Sequence, residues 1–321
     1  MLIEPHRHLA GCISPETIWD IITSSTRIDI AKSLDDVRQR VCLLRDDADF
    51  DYFCSRFDIL NKLEWRDWSL CKIARQVLRD IKDEGIDYCT LTVSLNKFIR
   101  SDDLVATGYR VFGILDTIAE EIGVNVNYLL SVSYDWPIEL QLQMLDLIKP
   151  LGNLIAGVDF VGNESLAKWQ EYGEPLRLWK QEEKAIRVHI AERPGTSNNL
   201  DMALTYIDIT RIAHGIYATK EQQLEAIRRG IVFDMSLHSN IYTHAVELAK
   251  HPIKQMQEIG CKITLGTDDP IQFNCSLQNE YALAEAMGAD KEAIRQTAIE
   301  SRMLSVSAFR KYVTPLIKRC Y

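Results

Sequence analysis

The N-terminal stretch Met1-Leu2-Ile3-Glu4-Pro5-His6-Arg7-His8 has the pattern of a short β-strand that ends in a His-X-His motif. Side chains along a strand alternate between its two faces, so the imidazoles of His6 and His8 are predicted to point to the same side. Two imidazoles directed at one point are suited to binding a metal ion. A single His-X-His motif is more often made of ordinary surface or core histidines, so the metal interpretation depends on the rest of the chain.

Seven more apolar runs of similar length follow, and longer amphipathic stretches separate them. The predicted strands are residues 1–8, 86–93, 124–132, 155–160, 186–190, 211–214, 231–235 and 262–266. The predicted helices include residues 68–84, 103–122, 137–148, 164–172, 199–207, 220–229 and 245–259. Alternating strands and helices are typical of parallel β-α-β units, and eight such units predict an α/β protein with the (β/α)8 TIM-barrel fold. Its catalytic residues lie at the carboxyl ends of the strands.

Residues 14–85 are too many for a minimal connection between the first two strands. Ser14 followed by Pro15 is typical of a helix N-terminus, which predicts a helix over residues 14–24, and residues 34–44 are also predicted to be helical. We therefore expect a helical insertion after the first strand that forms a lid over the barrel mouth. No linker divides the chain, so residues 1–321 are expected to form a single domain.

Composition and charge exclude several classes of partner. With 46% hydrophobic and 26% charged residues the chain is typical of a globular protein. A net charge of −9 argues against a nucleic-acid polymer, because binding a phosphate backbone relies on clustered Lys and Arg. No apolar run approaches the ~20 residues that span a bilayer, so no membrane partner is expected. The 8 cysteines lack a Cys-X-X-Cys pair and no signal peptide precedes the first strand, which predicts a cytoplasmic location. The oligomeric state is not predicted.

Histidines and a carboxylate recur at the ends of later strands. A mononuclear zinc site that activates water needs three or four nitrogen or oxygen ligands and one open position. His6, His8, His189 and Asp268 supply such a set from the first, fifth and eighth predicted strands, which predicts one Zn²⁺ per chain. Zinc follows here from the ligand types, which other divalent ions also accept.

Glu192 and His214 are the predicted catalytic partners of this site. Glu192 follows His189 by three positions and lies in the loop beyond it, where it can act as an acid or base, while His214 ends the sixth strand. Each residue also has an ordinary interpretation: a core histidine, a surface Glu-Arg pair, or, for Asp268-Asp269 before a proline, a turn or helix cap. Their common position at strand ends favours the catalytic interpretation.

Several motifs in this order resemble one family. They are Glu4-Pro5-His6-Arg7-His8-Leu9-Ala10-Gly11, Phe53-Cys54-Ser55-Arg56-Phe57-Asp58, Gly157-Val158-Asp159-Phe160-Val161-Gly162-Asn163-Glu164, His189-Ile190-Ala191-Glu192, Arg211-Ile212-Ala213-His214-Gly215, Ser239-Asn240 and Thr267-Asp268-Asp269-Pro270. Together they resemble the adenosine deaminase-like branch of the metal-dependent amidohydrolase superfamily. The resemblance implies a zinc-dependent hydrolytic deaminase. Its small-molecule substrate would be a 6-aminopurine (adenosine, adenine, an adenine nucleotide or an N6-substituted form), converted to the 6-oxopurine with release of ammonia or amine.

The resemblance also implies roles for individual residues. Glu192 would protonate the purine ring nitrogen beside the carbon under attack, and His214 would orient the metal-bound water and help to deprotonate it. Asp269 would hold the imidazole-ring edge of the purine, and Gly162 would present its backbone N–H where a side chain would clash with the base. Phe53 and Phe57 would form an apolar lid over the substrate. The two rings are equally well interpreted as part of the ordinary core of a helix.

The departures from the family pattern bear on the substrate. Ala10 stands where adenosine-specific members carry an acid suited to the sugar hydroxyl, so the substrate is expected to carry a phosphate, lack the sugar or bear another group. Arg7 is predicted to point away from its histidine neighbours into a structural ion pair. His238 is either a substrate contact peculiar to this chain or a solvent-facing loop histidine, and Pro5 within a strand has no explanation at this level.

Two other functions stay open. A metal-dependent amidohydrolase could act on another C–N or ester bond at the same site, although Glu192 together with Asp269 favours aminopurine chemistry. A non-catalytic ligand-binding relative could keep the fold, although the intact ligand set argues against it. The unrelated cytidine-type deaminases are excluded, because their H-X-E and P-C-X-X-C motifs do not occur in the sequence.

Overall fold

The computed structural model describes residues 1–43, 49–99 and 103–303. Its strands are β1 (Ile3–His8), β2 (Tyr88–Val93), β3 (Val126–Ser133), β4 (Gly157–Val161), β5 (Ala185–Ile190), β6 (Arg211–His214), β7 (Val232–Met235) and β8 (Lys262–Leu265). Each strand pairs in parallel with the next one along the chain. Backbone hydrogen bonds from the His8 N–H to the Asp268 carbonyl (2.9 Å) and from the Asp268 N–H to the His6 carbonyl (2.8 Å) bring the two ends together. The predicted (β/α)8 barrel is confirmed.

The helices follow the strands in sequence. They are α1 (Pro15–Ser24), α2 (Leu34–Val41), α3 (Phe50–Ser55), α4 (Asp58–Asn61), α5 (Asp67–Asp83), α6 (Leu104–Ile122), α7 (Ile138–Leu145), α8 (Ile148–Leu151), α9 (Trp169–Gln181), α10 (Ser197–Tyr206), α11 (Lys220–Arg229), α12 (Leu237–Tyr242), α13 (Ile253–Ile259), α14 (Pro270–Phe273), α15 (Leu277–Ala286) and α16 (Lys291–Glu300). Short 3-10 turns span Ala10–Cys12, Leu95–Phe98, Glu164–Leu166 and Leu248–Lys250. None of the helices in the described ranges is long and apolar enough to cross a membrane.

Helices α1 to α5 make up the predicted insertion between β1 and β2. Helix α1 begins as expected, because the Ser14 hydroxyl accepts the Thr17 N–H (3.2 Å) and Pro15 occupies the first helical position. The helix predicted over 34–44 ends at Val41, and residue 44 lies outside the described residues. The last part of the predicted domain, residues 304–321, also lies outside them.

Two helix predictions were wrong at their boundaries. The helix predicted over 164–172 is a 3-10 turn followed by α9, since the Asn163 side chain accepts the Ser165 N–H and closes a tight turn there. The helix predicted over 245–259 is broken before Pro252. A proline disfavours helical backbone at the preceding residue, and His251 is accordingly extended, so α13 begins only at Ile253.

The barrel interior below the strand ends is charged. Arg187 is fully buried and donates to both carboxylate oxygens of Asp159, to the Thr92 hydroxyl (2.6 Å) and to the Pro5 carbonyl (2.8 Å). The pairing of β1 with β2 is irregular between Glu4 and Arg7, so Pro5 lies in a break of the ladder where a missing N–H removes no hydrogen bond. Pro5 is therefore compatible with a barrel strand.

Arg7 faces the surrounding helices, as predicted. Its guanidinium binds both carboxylate oxygens of Glu84 (3.0 Å each) and the Thr267 hydroxyl (3.0 Å), with Glu4 at 3.4 Å. This buried ion pair ties β1 to the end of the insertion and to the segment after β8, close to two predicted metal ligands.

Candidate active site

The four predicted metal ligands meet at the carboxyl ends of β1, β5 and β8. The Nε2 atoms of His6 and His8 are 3.1 Å apart, and Asp268 Oδ1 lies 3.4 Å from the first and 3.1 Å from the second. The His189 ring packs edge-on against His6, and ligand atoms of His6, His8 and His189 all lie within 4.8 Å of one another. The geometry therefore supplies three nitrogens and one oxygen directed at one small volume.

The chemistry of these donors fits a divalent cation. His189 Nε2 is buried and makes no well-aligned hydrogen bond among the described residues, although Asp159 Oδ1 lies 3.4 Å away. A ligand at this nitrogen would satisfy it. Burial and the charge of Arg187 hold the pKa of His6 well below its ordinary value, which keeps a lone pair available. Burial opposes a charge on His8, but the hydrogen bond that its ring donates to Asp268 and the nearby carboxylates raise its pKa to about 9. The carboxylates thus create a site that attracts positive charge.

Two of the site residues have strained backbone. His214 (φ 64°) and Asp268 (φ 60°) both lie in the left-handed region that non-glycine residues rarely occupy. Such strain is tolerated where the surrounding structure imposes it, and it is commonly found at functional sites. The turn at Asp268 lets the residue leave β8 and direct its carboxylate back towards the histidines.

Glu192 reaches the site through a loop that Glu164 holds. The Glu164 carboxylate accepts the N–H of Ala191 (2.8 Å) and of Glu192 (3.2 Å), and Ala191 itself is left-handed at φ 49°. Burial raises the pKa of Glu192 to about 7, so its carboxyl carries a proton for part of the time at neutral pH. No role for Glu164 was predicted from the sequence, because both backbone groups it binds lie nearly thirty residues further along the chain.

His214 lies between Glu192 and Asp268. Its Nε2 atom is 3.6 Å from Glu192 Oε1 and 3.9 Å from Asp268 Oδ2. On the other side of the ring, His251 Nδ1 accepts the Ile253 N–H (3.3 Å), so its Nε2–H donates to Asn240 Oδ1 (3.3 Å).

This chain of hydrogen bonds sets the tautomer of His214. Because the amide oxygen of Asn240 is occupied, its amide nitrogen donates to His214 Nδ1 (3.0 Å). A neutral His214 therefore carries its proton on Nε2, facing Glu192 and Asp268. Nε2 is thus a hydrogen-bond donor, which differs from the proton-accepting role implied by the resemblance.

Two glycines allow close approaches around the predicted purine contacts. A Cβ on Gly11 would lie 1.7 Å from Asp269 Oδ1, so only glycine leaves room for that carboxyl, whose Oδ1 is buried and without a partner among the described residues. Gly162 has a φ of +94°, and a Cβ there would lie 2.1 Å from Asp135 Oδ2. The need for glycine at position 162 thus comes from its backbone and from Asp135, not only from a bound base.

These residues surround one cavity of about 390 Å³, a size typical of small-molecule sites. The predicted residues that line it are His8, Ala10, Phe53, Phe57, Gly162, His189, Glu192, His214, Asp268 and Asp269. Phe53 both lines the cavity and stacks on Phe273 at 5.1 Å, so its lid and core interpretations hold together. The lining residues that were not predicted from the sequence include Phe50, Asn61, Ser94, Asn96, Lys97 and Asp135.

Two predicted site residues do not line the cavity: the fully buried His6, whose Nε2 lies 3.1 Å from that of His8, and His238. His238 belongs to helix α12. Its Nδ1 lies 2.7 Å from Glu280 Oε1, and the same carboxylate accepts the backbone N–H groups of Leu237 and His238 at the start of α12. Glu280 thus holds the imidazole, which is not among the groups that line the cavity, and the substrate contact of His238 stays a prediction without support from this geometry.

Comparisons with known proteins agree with this geometry. The adenosine deaminase family model matches residues 2–312. An adenosine deaminase of Clostridium acetobutylicum is 24% identical over 99% of this chain and 96% of its own length. The crystal structure of an adenine deaminase from Arthrobacter aurescens superposes with a TM-score of 0.82 at 19% identity, covering 99% of both chains.

A third protein with the same fold is an enzyme that is named for a nucleotide substrate. An Arabidopsis N6-mAMP deaminase superposes with a TM-score of 0.82 at 22% identity, covering 97% of this chain and 95% of its own. Enzymes named for a free base and for a nucleotide therefore have the same architecture. The family match confirms the predicted resemblance and the predicted enzyme class, a hydrolase that deaminates 6-aminopurines. The chain belongs to the adenosine deaminase family.

Proposed function

We propose that this protein removes the 6-amino group of an adenine ring by hydrolysis, with one Zn²⁺ held by His6, His8, His189 and Asp268. One observation carries the proposal: ligand atoms of His6, His8 and His189 lie within 4.8 Å of one another, and Asp268 Oδ1 lies 3.4 Å from His6 and 3.1 Å from His8. The buried acid Glu192 lines the same cavity as His8, His189 and Asp268. Family membership supports the reaction, and the nitrogen-rich ligand set supports zinc. When bound, the metal supplies a Lewis acid that makes a water-derived nucleophile available at neutral pH.

Glu192 supplies the proton that activates the ring. Its raised pKa keeps the carboxyl partly protonated near neutral pH, and transfer of that proton to the ring nitrogen beside the 6-carbon makes this carbon electrophilic. The oxygen of water then adds to the carbon. Of the two protons of this water, one ends on the amino group, which leaves as ammonia, and the other restores the carboxyl of Glu192. The 6-oxopurine keeps on its ring nitrogen the proton that Glu192 supplied.

His214 and Asp269 position the reacting groups. The Nε2–H of His214 donates to the attacking oxygen and stabilises the charge that develops on it, since the Asn240 amide occupies Nδ1. Asp269 Oδ1 has no partner among the described residues and lines the cavity, so it is available to the imidazole-ring edge of the purine.

An ammonia-release assay of the zinc-loaded protein across adenine, adenosine, deoxyadenosine, AMP and their N6-methylated forms tests the proposal. Glu192→Gln should keep one zinc per chain and lose about 10²- to 10⁴-fold in kcat, because an amide of the same shape has no proton to transfer. Glu171→Gln, the same change at an exposed site in α9, is the matched control.

Two outcomes would contradict this function. If no aminopurine is turned over while zinc is bound at one per chain, hydrolysis of another C–N or ester bond becomes the better explanation. Full activity of Glu192→Gln would remove Glu192 as the acid.

A further inference from the structure

We propose that the substrate of this site is a 6-aminopurine nucleoside 5′-monophosphate, whose phosphate binds an anion pocket formed by Asn61, Ser94, Asn96 and Lys97. This inference rests on the proposed function and adds the chemical class of the substrate. All four residues line the active-site cavity. Asn61 is the last residue of α4 in the insertion, and the other three lie in and just before the 3-10 turn Leu95–Phe98 that follows β2.

Lys97 is the only Lys or Arg among the described residues that line the cavity. Its ammonium group is partly buried and forms no ion pair with any described carboxylate. Its contacts are a hydrogen bond to Asn61 Oδ1 (2.6 Å) and the ring of Trp65 at 5.6 Å. Burial lowers the pKa of Lys97, as expected for a positive charge without a compensating partner. An ammonium has three N–H donors, so two remain for a ligand.

The two asparagine side chains present donors to the cavity. Asn61 Oδ1 accepts from Lys97, and Asn96 Oδ1 accepts from the Ser94 hydroxyl (2.7 Å). Because both amide oxygens are used within the cluster, the NH₂ groups of Asn61 and Asn96 are left to donate. An ammonium and two amide donors on one wall favour an oxyanion with several acceptor oxygens, which describes a phosphate.

The rest of the cavity places the base elsewhere. Glu192 and Asp269 are the groups assigned above to the aminopurine ring, so the phosphate is left to residues other than these two. Ala10 also lines the cavity, and its methyl group can accept no hydrogen bond from a sugar hydroxyl. The anion pocket thus supplies the recognition that position 10 lacks.

Neighbouring cations are already paired. A second, open cavity of about 760 Å³ shares Asn61, Asn96 and Lys97 with the first and also contains Arg27 and Arg66. Arg27 pairs with Asp29 (3.0 Å) and Arg66 with Glu64 (3.1 Å), so Lys97 is the cation left for an anion. Because the pocket opens on this side too, a bound phosphate can keep part of its hydration.

The test compares AMP with adenosine on the zinc-loaded enzyme. The wild-type protein should prefer AMP, and Lys97→Met should lower the ratio of the two kcat/KM values about 10- to 100-fold, mainly through KM for AMP. Lys62→Met removes an equal charge from an exposed lysine next to Asn61 and should leave the ratio unchanged. Inorganic phosphate, titrated as a separate probe, should inhibit AMP turnover competitively and lose this effect in Lys97→Met.

The possible results distinguish a failure of the AMP inference from a failure of the proposed deaminase function. An equal loss for AMP and adenosine in Lys97→Met would assign Lys97 a structural role between α4 and β2 and would overturn the inference. Equal or better wild-type turnover of adenosine would also overturn it while leaving the deaminase intact. Binding of phosphate without any preference for AMP would show a free-anion site instead. If no aminopurine is turned over, the proposed function itself fails.

Discussion

The floor of the active-site cavity is made of strand ends, whereas its roof is made of short helices from the insertion. The floor consists of His6, His189, His214 and Asp268, which are buried, and of His8, which is partly buried. Backbone hydrogen bonds between β1 and the segment at Asp268 hold it in place. The roof consists of α3, α4 and the turn Leu95–Phe98, and its polar side chains face the opening. This difference leads us to expect that the barrel determines the reaction, while the insertion and the turn after β2 determine which purine derivative binds.

Removing a floor ligand should have the largest effect. In His189→Asn one of the four donors directed at the metal is lost, so zinc content should fall well below one per chain and kcat/KM by at least about 10³-fold. Metal analysis with the ammonia assay checks this. His238→Gln, a histidine change outside the cavity, is the matched control. A His189→Asn protein with full zinc and normal turnover would contradict the assignment of the floor.

Lowering the pH should destabilise the folded protein through His251, which binds Asn240 beside His214. Burial lowers the pKa of His251 from 6.5 to about 4, so the unfolded chain binds a proton that the folded chain refuses. The free energy of unfolding should therefore fall as the pH drops from 6.5 to about 4, by up to about 3 kcal/mol for this residue alone. Urea unfolding of wild type and His251→Gln across this range measures the difference. Parallel pH profiles of the two proteins would contradict it.

A substitution of Ala10, which also lines the cavity, should have the smallest effect. It should alter the selectivity between adenosine and AMP. Ala10→Asp adds a carboxylate that can accept a sugar hydroxyl and repel a phosphate, so adenosine should gain about 3- to 10-fold in kcat/KM relative to AMP. Ala10→Asn, of the same size without the charge, is the control. Equal effects of the two substitutions on both substrates would indicate crowding rather than recognition.

The floor was predictable because its residues are encoded locally. The alternation of a strand puts His6 and His8 on one face, and parallel strands carry their ends to one edge, so His189 and Asp268 follow from the strand pattern. The same patterns carried the family resemblance, which was confirmed. Helix boundaries near Asn163 and Pro252 were predicted less well, since a side-chain cap and a proline decided them.

Contacts between distant parts of the chain could not be read from local patterns. Glu164 holds the loop of Glu192, and Glu280 holds His238 away from the cavity, across 28 and 42 positions of sequence respectively. Neither partner has a sequence feature that marks it. The same holds for Asn61 and Lys97, which lie 36 positions apart and meet only because the insertion folds over the end of β2.

By itself the sequence determined the barrel and predicted the metal ligands and the acid, because periodicity and strand-end position are properties of short segments. Tertiary structure alone decided the tautomer of His214, the position of His238 and the donors of the anion pocket. Each of these depends on which atom of a distant side chain already has a partner. Hydrogen-bond partners are set by packing in three dimensions, and the packing brings residues together without regard to their separation along the chain.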